Sequence, residues 1–245
     1  MSSSRRASRQ GFARVFSKST HYRFVSWVCR SLVSGSADRV GAVEDCIEED
    51  FGDAVLGDQE WEQRAFVRCR FVDADLRGLR TRGCRFTACD FTGADLGTSV
   101  HRSTAFHTCT FHRAMLAESE LHGCSLLGSM VSDCRLRPWT LRDVDLTLVG
   151  LGRADLRDTV LAGLRFREAN LVEADLRGAD LSRADLSGAR LLGARLEGAD
   201  LREARLDADA LVQARLAGAR IDIDTAIAFA AAHGLRVDVG ADQER

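Results

Sequence analysis

Hydrophobic residues recur every five positions along most of this chain, with polar residues between them. The segment ADLRGADLSRADLSGARL, residues 174–191, shows the pattern: each Ala is followed two positions later by a Leu, with Asp or Arg between them. In an α-helix each successive Leu would rotate by about 140°, and in a strand the Leu residues would alternate between two faces. A period of five places every Leu in one interior only if the chain bends within each repeat, which predicts a solenoid.

The register of the repeat continues from Trp61 to Ile221 without an insertion. Its central positions are all apolar except Thr81 and His101, and the position two before each centre is nearly always small. Most Gly residues of this region lie two positions after a centre, where a corner requires an unusual backbone conformation. Each repeat therefore predicts one buried centre, one small inward residue and one corner.

The residues that depart from Leu show how many repeats close one coil. Phe residues recur at 66, 86 and 106, Cys residues at 69, 89 and 109, and the two polar centres also lie 20 positions apart. Like residues stack if four repeats make one coil, and about eight coils at strand spacing would give a rod ~40 Å long. We therefore predict an all-β solenoid, a right-handed quadrilateral β-helix over residues 58–221.

The termini differ from the repeat in composition. Residues 1–42 carry eight basic residues against one acid, whereas residues 43–63 carry nine acids and no base. We expect residues 1–57 to be an extension that is partly disordered. Its apolar run, FVSWVCRSLV at 24–33, is too short to span a bilayer and fits a tail, a short amphipathic helix or a stretch upstream of the natural start. We expect a cytoplasmic protein without a membrane segment.

Residues 222–245 form the predicted C-terminal unit, because helical spacing replaces the repeat after Ile221. Asp224 fits a helix N-cap, Gly234 fits the end of that helix, and Leu235, Val237 and Val239 alternate as in a short strand. A solenoid end needs a cap, so we expect the helix to cover it and also to join two copies of the chain. The predicted dimerisation residues are Ile223, Ile227, Phe229 and Ala230.

Candidate chemical groups in the repeat are better explained by packing than by catalysis. Six Cys residues occupy the small inward position and are expected to be reduced core thiols: Cys69, Cys84, Cys89, Cys109, Cys124 and Cys134. His101 is a centre and should find a partner in a neighbouring coil, whereas His107, His112 and His122 fall on three different faces. A packed column offers no pocket, so we expect no catalytic, cofactor-binding or metal site and no enzyme.

Three less repetitive stretches carry a resemblance to a known family: HRSTAFHTCTF (101–111), CRLRPWTLRDVDLTLVGLG (134–152) and ARIDIDTAIAFAAAHGL (219–235). Together with the repeats, they resemble the pentapeptide-repeat family, and within it the fluoroquinolone-resistance proteins of mycobacteria and their plasmid-borne Qnr relatives. The resemblance implies a homodimer joined through its C-terminal helices, a rod that imitates duplex DNA. Such proteins bind DNA gyrase, modulate its supercoiling and protect it from fluoroquinolones, and they do not bind nucleic acid directly.

An acidic surface is the candidate site that this resemblance implies. Residues 64–221 contain 24 Arg and 21 acids, so mimicry of DNA must rest on local groups of carboxylates. The candidate acids lie in the C-terminal half, each one position before a centre, where side chains point outward: Asp155, Asp175, Asp180, Asp185 and Asp200. Neighbouring Arg177, Arg183 and Arg202 could neutralise them in the free protein. The alternative function is therefore a cytoplasmic interaction scaffold for a different protein partner.

Overall fold

The computed structural model describes residues 45–238, and these residues form a parallel β-solenoid. Each rung pairs with the rung 20 positions later: Cys46 with Phe66, Thr81 with His101 and Asp200 with Arg220. Backbone hydrogen bonds between coils therefore replace the local bonds of a helix. The predicted fold class and the length of one coil are confirmed.

The regular strands of the described residues are short. They are β1 Cys46–Ile47, β2 Glu60–Glu62, β3 Ala65–Val67, β4 Arg80–Arg82, β5 Arg85–Thr87, β6 Val100–Arg102, β7 Ala105–His107, β8 Thr110–His112, β9 Ser119–His122, β10 Met130–Ser132 and β11 Trp139–Arg142. They lie in three parallel sheets, with orders β1-β3-β5-β7, β2-β4-β6-β9-β11 and β8-β10. From Asp145 onward most rungs are single bridging residues between turns.

The repeat centres fill the interior as one continuous column. Phe66 and Phe86 stack with their ring centroids 4.8 Å apart, and Phe86 stacks on Phe106 at 4.9 Å. Further along, Leu156 and Leu176 are completely buried. Because every coil places an apolar side chain over the one before it, the column stabilises the fold mainly by removing apolar surface from water.

The corner residue of most repeats has a positive φ, whether or not it is Gly. Gly78 and Gly93 have φ values of 65° and 70°, but Arg68 and Glu203, at the same repeat position, have 53° and 59°. The left-handed conformation costs a non-Gly residue about 1–2 kcal/mol. In return, the N–H of Arg68 donates to the carbonyl of Thr87 in the next coil at 2.9 Å, so the bond between coils holds the strained residue in place.

The solenoid begins earlier than the repeat pattern predicted. Strand β1 pairs with β3, and Phe51 and Leu56 are buried centres in the same register of five. The expected boundary at residue 58 is therefore wrong, because residues 46–57 are part of the solenoid. The dense acids of this segment obscured its apolar centres. The interpretations of residues 24–33 lie outside the described residues.

Two helices close the C-terminal end, α1 at Ala208–Val212 and α2 at Ile223–Ala232. The N-cap of α2 is Asp222 and not Asp224: the Asp222 carboxylate accepts from the N–H of Thr225 at 2.9 Å. Gly234 follows the helix with a φ of 77°, as expected. The sequence did not predict α1, which begins where Asp209 replaces the small inward residue and the chain leaves the regular coil.

The short strand predicted after α2 does not form in the described residues. Leu235 and Val237 lie in irregular chain and are 63% and 43% exposed, while Val239 lies outside the described range. Alternation alone cannot make a strand without a neighbouring edge to pair with. No helix within residues 45–238 combines the length and the apolar character needed to cross a lipid bilayer.

Candidate partner-binding surface

The five predicted acids share a structural role at the solenoid corners. In each, a carboxylate oxygen accepts a hydrogen bond from the N–H two residues later, as Asp180 does from Ser182 at 3.0 Å and Asp185 from Ser187 at 3.2 Å. Asn170 makes the same bond to the N–H of Val172 at 3.3 Å. A neutral amide can therefore replace the carboxylate at this position while the corner bond is kept.

Three of the five acids form paired hydrogen bonds with an Arg two positions later. The oxygens Oδ1 and Oδ2 of Asp155 accept from Nε and Nη2 of Arg157 at 2.8 and 2.7 Å. Asp175 binds Arg177 with the same two distances, and Asp200 accepts from Nη2 of Arg202 at 2.6 Å. Two parallel charge-assisted bonds are the strongest arrangement for this pair of groups, so these carboxylates are compensated within their own repeat.

Arg residues of neighbouring coils add to this compensation. Nη1 of Arg137 lies 3.4 Å from Asp155, Nη1 of Arg195 lies 3.4 Å from Asp175 and Nη1 of Arg220 lies 3.4 Å from Asp200. These second partners were not predicted, although the 20-residue period could have located Arg195 and Arg220.

The Arg partners also change the acidity of the carboxyl groups. The hydrogen bonds from Arg157 lower the pKa of Asp155 to about 2, and those from Arg202 lower the pKa of Asp200 to about 2. Both groups are therefore ionised at neutral pH while their charge is matched by a guanidinium.

Asp180 and Asp185 differ because Ser takes the place of Arg two positions later. The Ser187 hydroxyl donates to Asp185 at 2.7 Å, and this bond is the largest cause of the lowered Asp185 pKa. Within residues 45–238, no ion pair joins Asp180 or Asp185 to an Arg. Arg183, which we expected to relieve these acids, instead pairs with Glu203 at 3.0 Å. The sequence signal that separates the two groups is Asp-Leu-Arg against Asp-Leu-Ser.

The structure arranges the five acids on three sides of the solenoid. Asp155 pairs with Asp175 in one ladder and Asp180 with Asp200 in another, whereas Asp185 lies between Arg165 and Arg205 in a third. Both predicted ladders are therefore present, with carboxylates one rung apart. The acids do not form one continuous stripe, and a partner on one side would contact only one ladder.

The predicted dimerisation residues divide into an inward and an outward group. Phe229 packs against the core cluster, and Ile227 and Ala230 are half-buried. Ile223, by contrast, is 77% exposed, and no residue of α2 is fully buried. Helix α2 therefore covers the end of the column with one side and leaves apolar surface open on the other.

His101 lies inside the column with polar partners, as expected. Its Nδ1 and the Thr81 Oγ1 are 2.8 Å apart, and its Nε2 and the Ser99 Oγ are 3.0 Å apart. Burial lowers the pKa of this imidazole to about 3. Outside the column, His122 contacts Glu120 at 3.1 Å and His112 contacts Ser132 at 3.0 Å, on separate faces.

The inward Cys residues behave as packing groups. The six predicted core thiols are not in disulfides, and all but the half-buried Cys134 are buried. Burial raises the pKa of Cys84 and Cys124 and that of Cys134 to about 11, so the thiolate form is disfavoured. Residues 45–238 contain no group of His, Cys, Asp and Glu residues that could hold a metal ion.

Comparison with known proteins places these features among repeat proteins. The family model "Pentapeptide repeats" matches eight copies, within residues 69–97, 151–188 and 179–208. The chain is 52% identical over 177 residues to the pentapeptide repeat protein MfpA of Mycobacterium tuberculosis, covering 72% of this chain and 97% of that protein.

Solved structures support the same architecture. A trypsin-treated form of QnrB1, a plasmid-mediated fluoroquinolone resistance protein, superposes with a TM-score of 0.69 and 22% identity, covering 79% of this chain and 97% of that one. Full-length QnrB1 gives a TM-score of 0.56 and 18% identity, with 78% and 97% covered. At these identities the likeness concerns the fold.

Proposed function

This chain belongs to the pentapeptide-repeat family, and on that basis we propose that it binds DNA gyrase as a mimic of duplex DNA, modulates supercoiling and protects the enzyme from fluoroquinolones. The observation that carries the proposal is a rigid column faced by carboxylates stacked one rung apart, Asp155 over Asp175 and Asp180 over Asp200. The similarity to MfpA over most of the chain supports it.

The physical basis is competition for a basic DNA-binding channel. Duplex DNA presents one charge about every 1.7 Å along its axis, and a surface that holds it must be strongly basic. A preformed solenoid can offer carboxylates to such a channel with little loss of conformational entropy on binding. Because the protein takes the place of DNA, it need not bind nucleic acid itself, and a gyrase partner places it in the cytoplasm.

A second copy is proposed to bind at the C-terminal end. Ile223, Val212 and Leu235 are large apolar residues of this end with 77%, 41% and 63% of their surface exposed. In a two-fold dimer, the same patch would cover itself on the other copy. Such a dimer doubles the length of the rod and brings the C-terminal acids of both copies close to its centre.

The two acid classes should contribute differently to a partner's binding. Asp155, Asp175 and Asp200 already hold an Arg, so a cationic partner must compete with it. Asp180 and Asp185 carry no such ion pair in residues 45–238 and can meet a partner's Arg or Lys directly.

The interaction scaffold is a second candidate, and the Asp-Leu-Arg pairs are the observation that favours it. They neutralise acids on the Asp155/Asp175 side, which reduces the negative potential that a DNA mimic needs. A scaffold would recognise a partner through mixed charges, without preference for a DNA-binding channel.

A supercoiling assay with purified gyrase separates the two candidates. The test variant replaces Asp180, Asp185 and Asp200 by Asn, and the control replaces Asp75, Asp90 and Asp95, which also make the corner bond. If each of the three carboxylates contributes about 0.5 kcal/mol to binding, neutralising them would weaken inhibition roughly tenfold. The control should inhibit as the unmodified protein does, and added salt should weaken that inhibition.

Two outcomes would count against this proposal. If the test variant inhibits as strongly as the control and salt has no effect, these acids do not contact gyrase. No inhibition by the unmodified protein itself would reject gyrase as the partner and leave the scaffold.

A further inference from the structure

The first coil of the solenoid, residues 45–63, has an acidic rim without any basic residue. The next coil neutralises part of it: Glu48 pairs with Arg68 at 2.8 Å and Asp50 with Arg70 at 2.8 Å, while Glu62 lies 3.7 Å from Arg82. Acids of the rim without an ion pair to a described residue are Asp45, Glu49, Asp53, Asp58 and Glu60. This end therefore has unmatched negative charge.

The same coil presents an apolar end face. Strands β1 and β2 are the outermost strands of their sheets, so residues 45–238 place no rung beyond Phe51, Leu56 and Trp61. Among residues 45–238, the ring contacts of Phe51 are all with the next coil, and it stacks on Phe71 there at 4.9 Å. Stacked coils bury their centres from both sides, so an uncapped end would leave large rings in water.

These end residues are nevertheless well shielded from solvent. Phe51, Leu56 and Trp61 are only 8%, 3% and 2% exposed. At the opposite end, where α1 and α2 lie over the column, Leu206 and Ile221 remain half-buried. The N-terminal end face therefore requires a cover that fits it at least as closely as those helices fit the C-terminal end.

The chain that precedes this end, residues 1–44, contains an apolar run that could cover the apolar end face and basic residues whose charge is opposite to that of the acidic rim. Residues 24–33, FVSWVCRSLV, are the long apolar run outside the described range, and residues 1–42 carry eight basic residues against one acid. Residues 34–44 can span up to about 36 Å, so the run can reach the end face from Asp45. We propose that residues 24–33 dock on Phe51, Leu56 and Trp61 as an N-terminal cap, with the flanking Arg residues against the acidic rim.

Charge argues for this occupant over a second copy of the chain. Two copies meeting at this end would place one acidic rim against another, and like charges in contact are repelled. The chain's own basic segment has the opposite sign. Docking would also remove the rim from reach of any cationic partner, and this inference does not depend on the proposed function.

Trp61 fluorescence gives a direct test, since the chain contains three Trp residues, Trp27, Trp61 and Trp139. The full-length double variant W27F/W139F leaves Trp61 as the single reporter with an apolar residue at 27. The matched variant W27D/W139F differs from it only by a charge in the proposed cap. We expect acrylamide quenching of Trp61 to be weak in the first protein and several-fold stronger in the second.

Two further proteins control for general effects. Adding Ser17→Asp to W27F/W139F introduces the same charge outside the apolar run and should leave quenching weak. Val25→Asp with Leu32→Asp in that background should expose Trp61 as W27D does, and sedimentation should show no change in oligomeric state.

Either of two results would overturn the proposal. Equal shielding of Trp61 in W27F/W139F, W27D/W139F and the Val25/Leu32 variant means that residues 24–33 do not cover it. Shielding that is lost on dilution in parallel with dissociation of a dimer assigns the end face to a second copy.

Discussion

The protein should lose stability as the pH falls from 7 to 5, in part because the buried His101 must stay neutral. Replacing His101 by Leu should remove that part of the loss. His101 is a repeat centre, and Leu occupies most other centres. The variant leaves the neighbouring hydroxyls with partners, because Thr81 also bonds Thr104 at 2.8 Å and Ser99 donates to the Leu96 carbonyl at 2.7 Å. We therefore expect His101→Leu to fold normally at pH 7.

The magnitude follows from the difference between the folded and unfolded pKa. Burial lowers the His101 pKa from 6.5 to about 3, so between these values the unfolded chain binds a proton that the folded chain excludes. The contribution of neutral His101 is complete above pH 6.5 and declines as the pH falls towards 3. At pH 5 the loss should be about 2 kcal/mol, at roughly 1.4 kcal/mol for each pH unit.

Urea unfolding followed by circular dichroism at pH 7 and pH 5 measures this loss. The unmodified protein should lose about 2 kcal/mol more than His101→Leu between the two conditions, since the exposed His residues and carboxyl groups contribute equally to both. An equal loss in the two proteins would refute the reasoning, as would a folded-state NMR titration of the His101 ring near its ordinary pKa.

Four other substitutions test the column and its C-terminal end. Leu176 is fully buried, so Leu176→Ala should cost about 2–5 kcal/mol and Leu176→Lys should cost more; thermal melts unchanged by either would contradict its inward position. Ile223→Glu places a charge on the exposed side of α2 and should convert a dimer to monomers that keep the circular dichroism spectrum of the folded solenoid, whereas Phe229→Glu should destabilise the cap itself. Light scattering and circular dichroism together check this pair, and an intact dimer of Ile223→Glu would remove that side of α2 from the interface.

The sequence by itself determined the architecture, because the information is periodic and local. Apolar centres every five residues require a corner in each repeat, and the matching of Phe86 with Phe106 and of Thr81 with His101 required a coil of 20 residues. The same period identified the inward Cys residues and the outward acids. Asp-Leu-Arg and Asp-Leu-Ser could also have been distinguished in advance, since both partners belong to one repeat.

Only the tertiary structure decided features that depend on contacts between coils or on where stacking stops. Arg195 reaches Asp175 from the next coil, and the corner at Arg68 is held by a carbonyl of the next coil, so neither is visible in one repeat. The two ends of the solenoid were also decided by tertiary contacts. Phe51 is part of the column because it stacks on Phe71, whereas Leu235 and Val237 form no strand because no strand edge lies beside them. The sequence pattern specifies whether a side chain points inward or outward. How much that side chain stabilises the protein depends on the neighbour that it contacts, and only the tertiary structure supplies that neighbour.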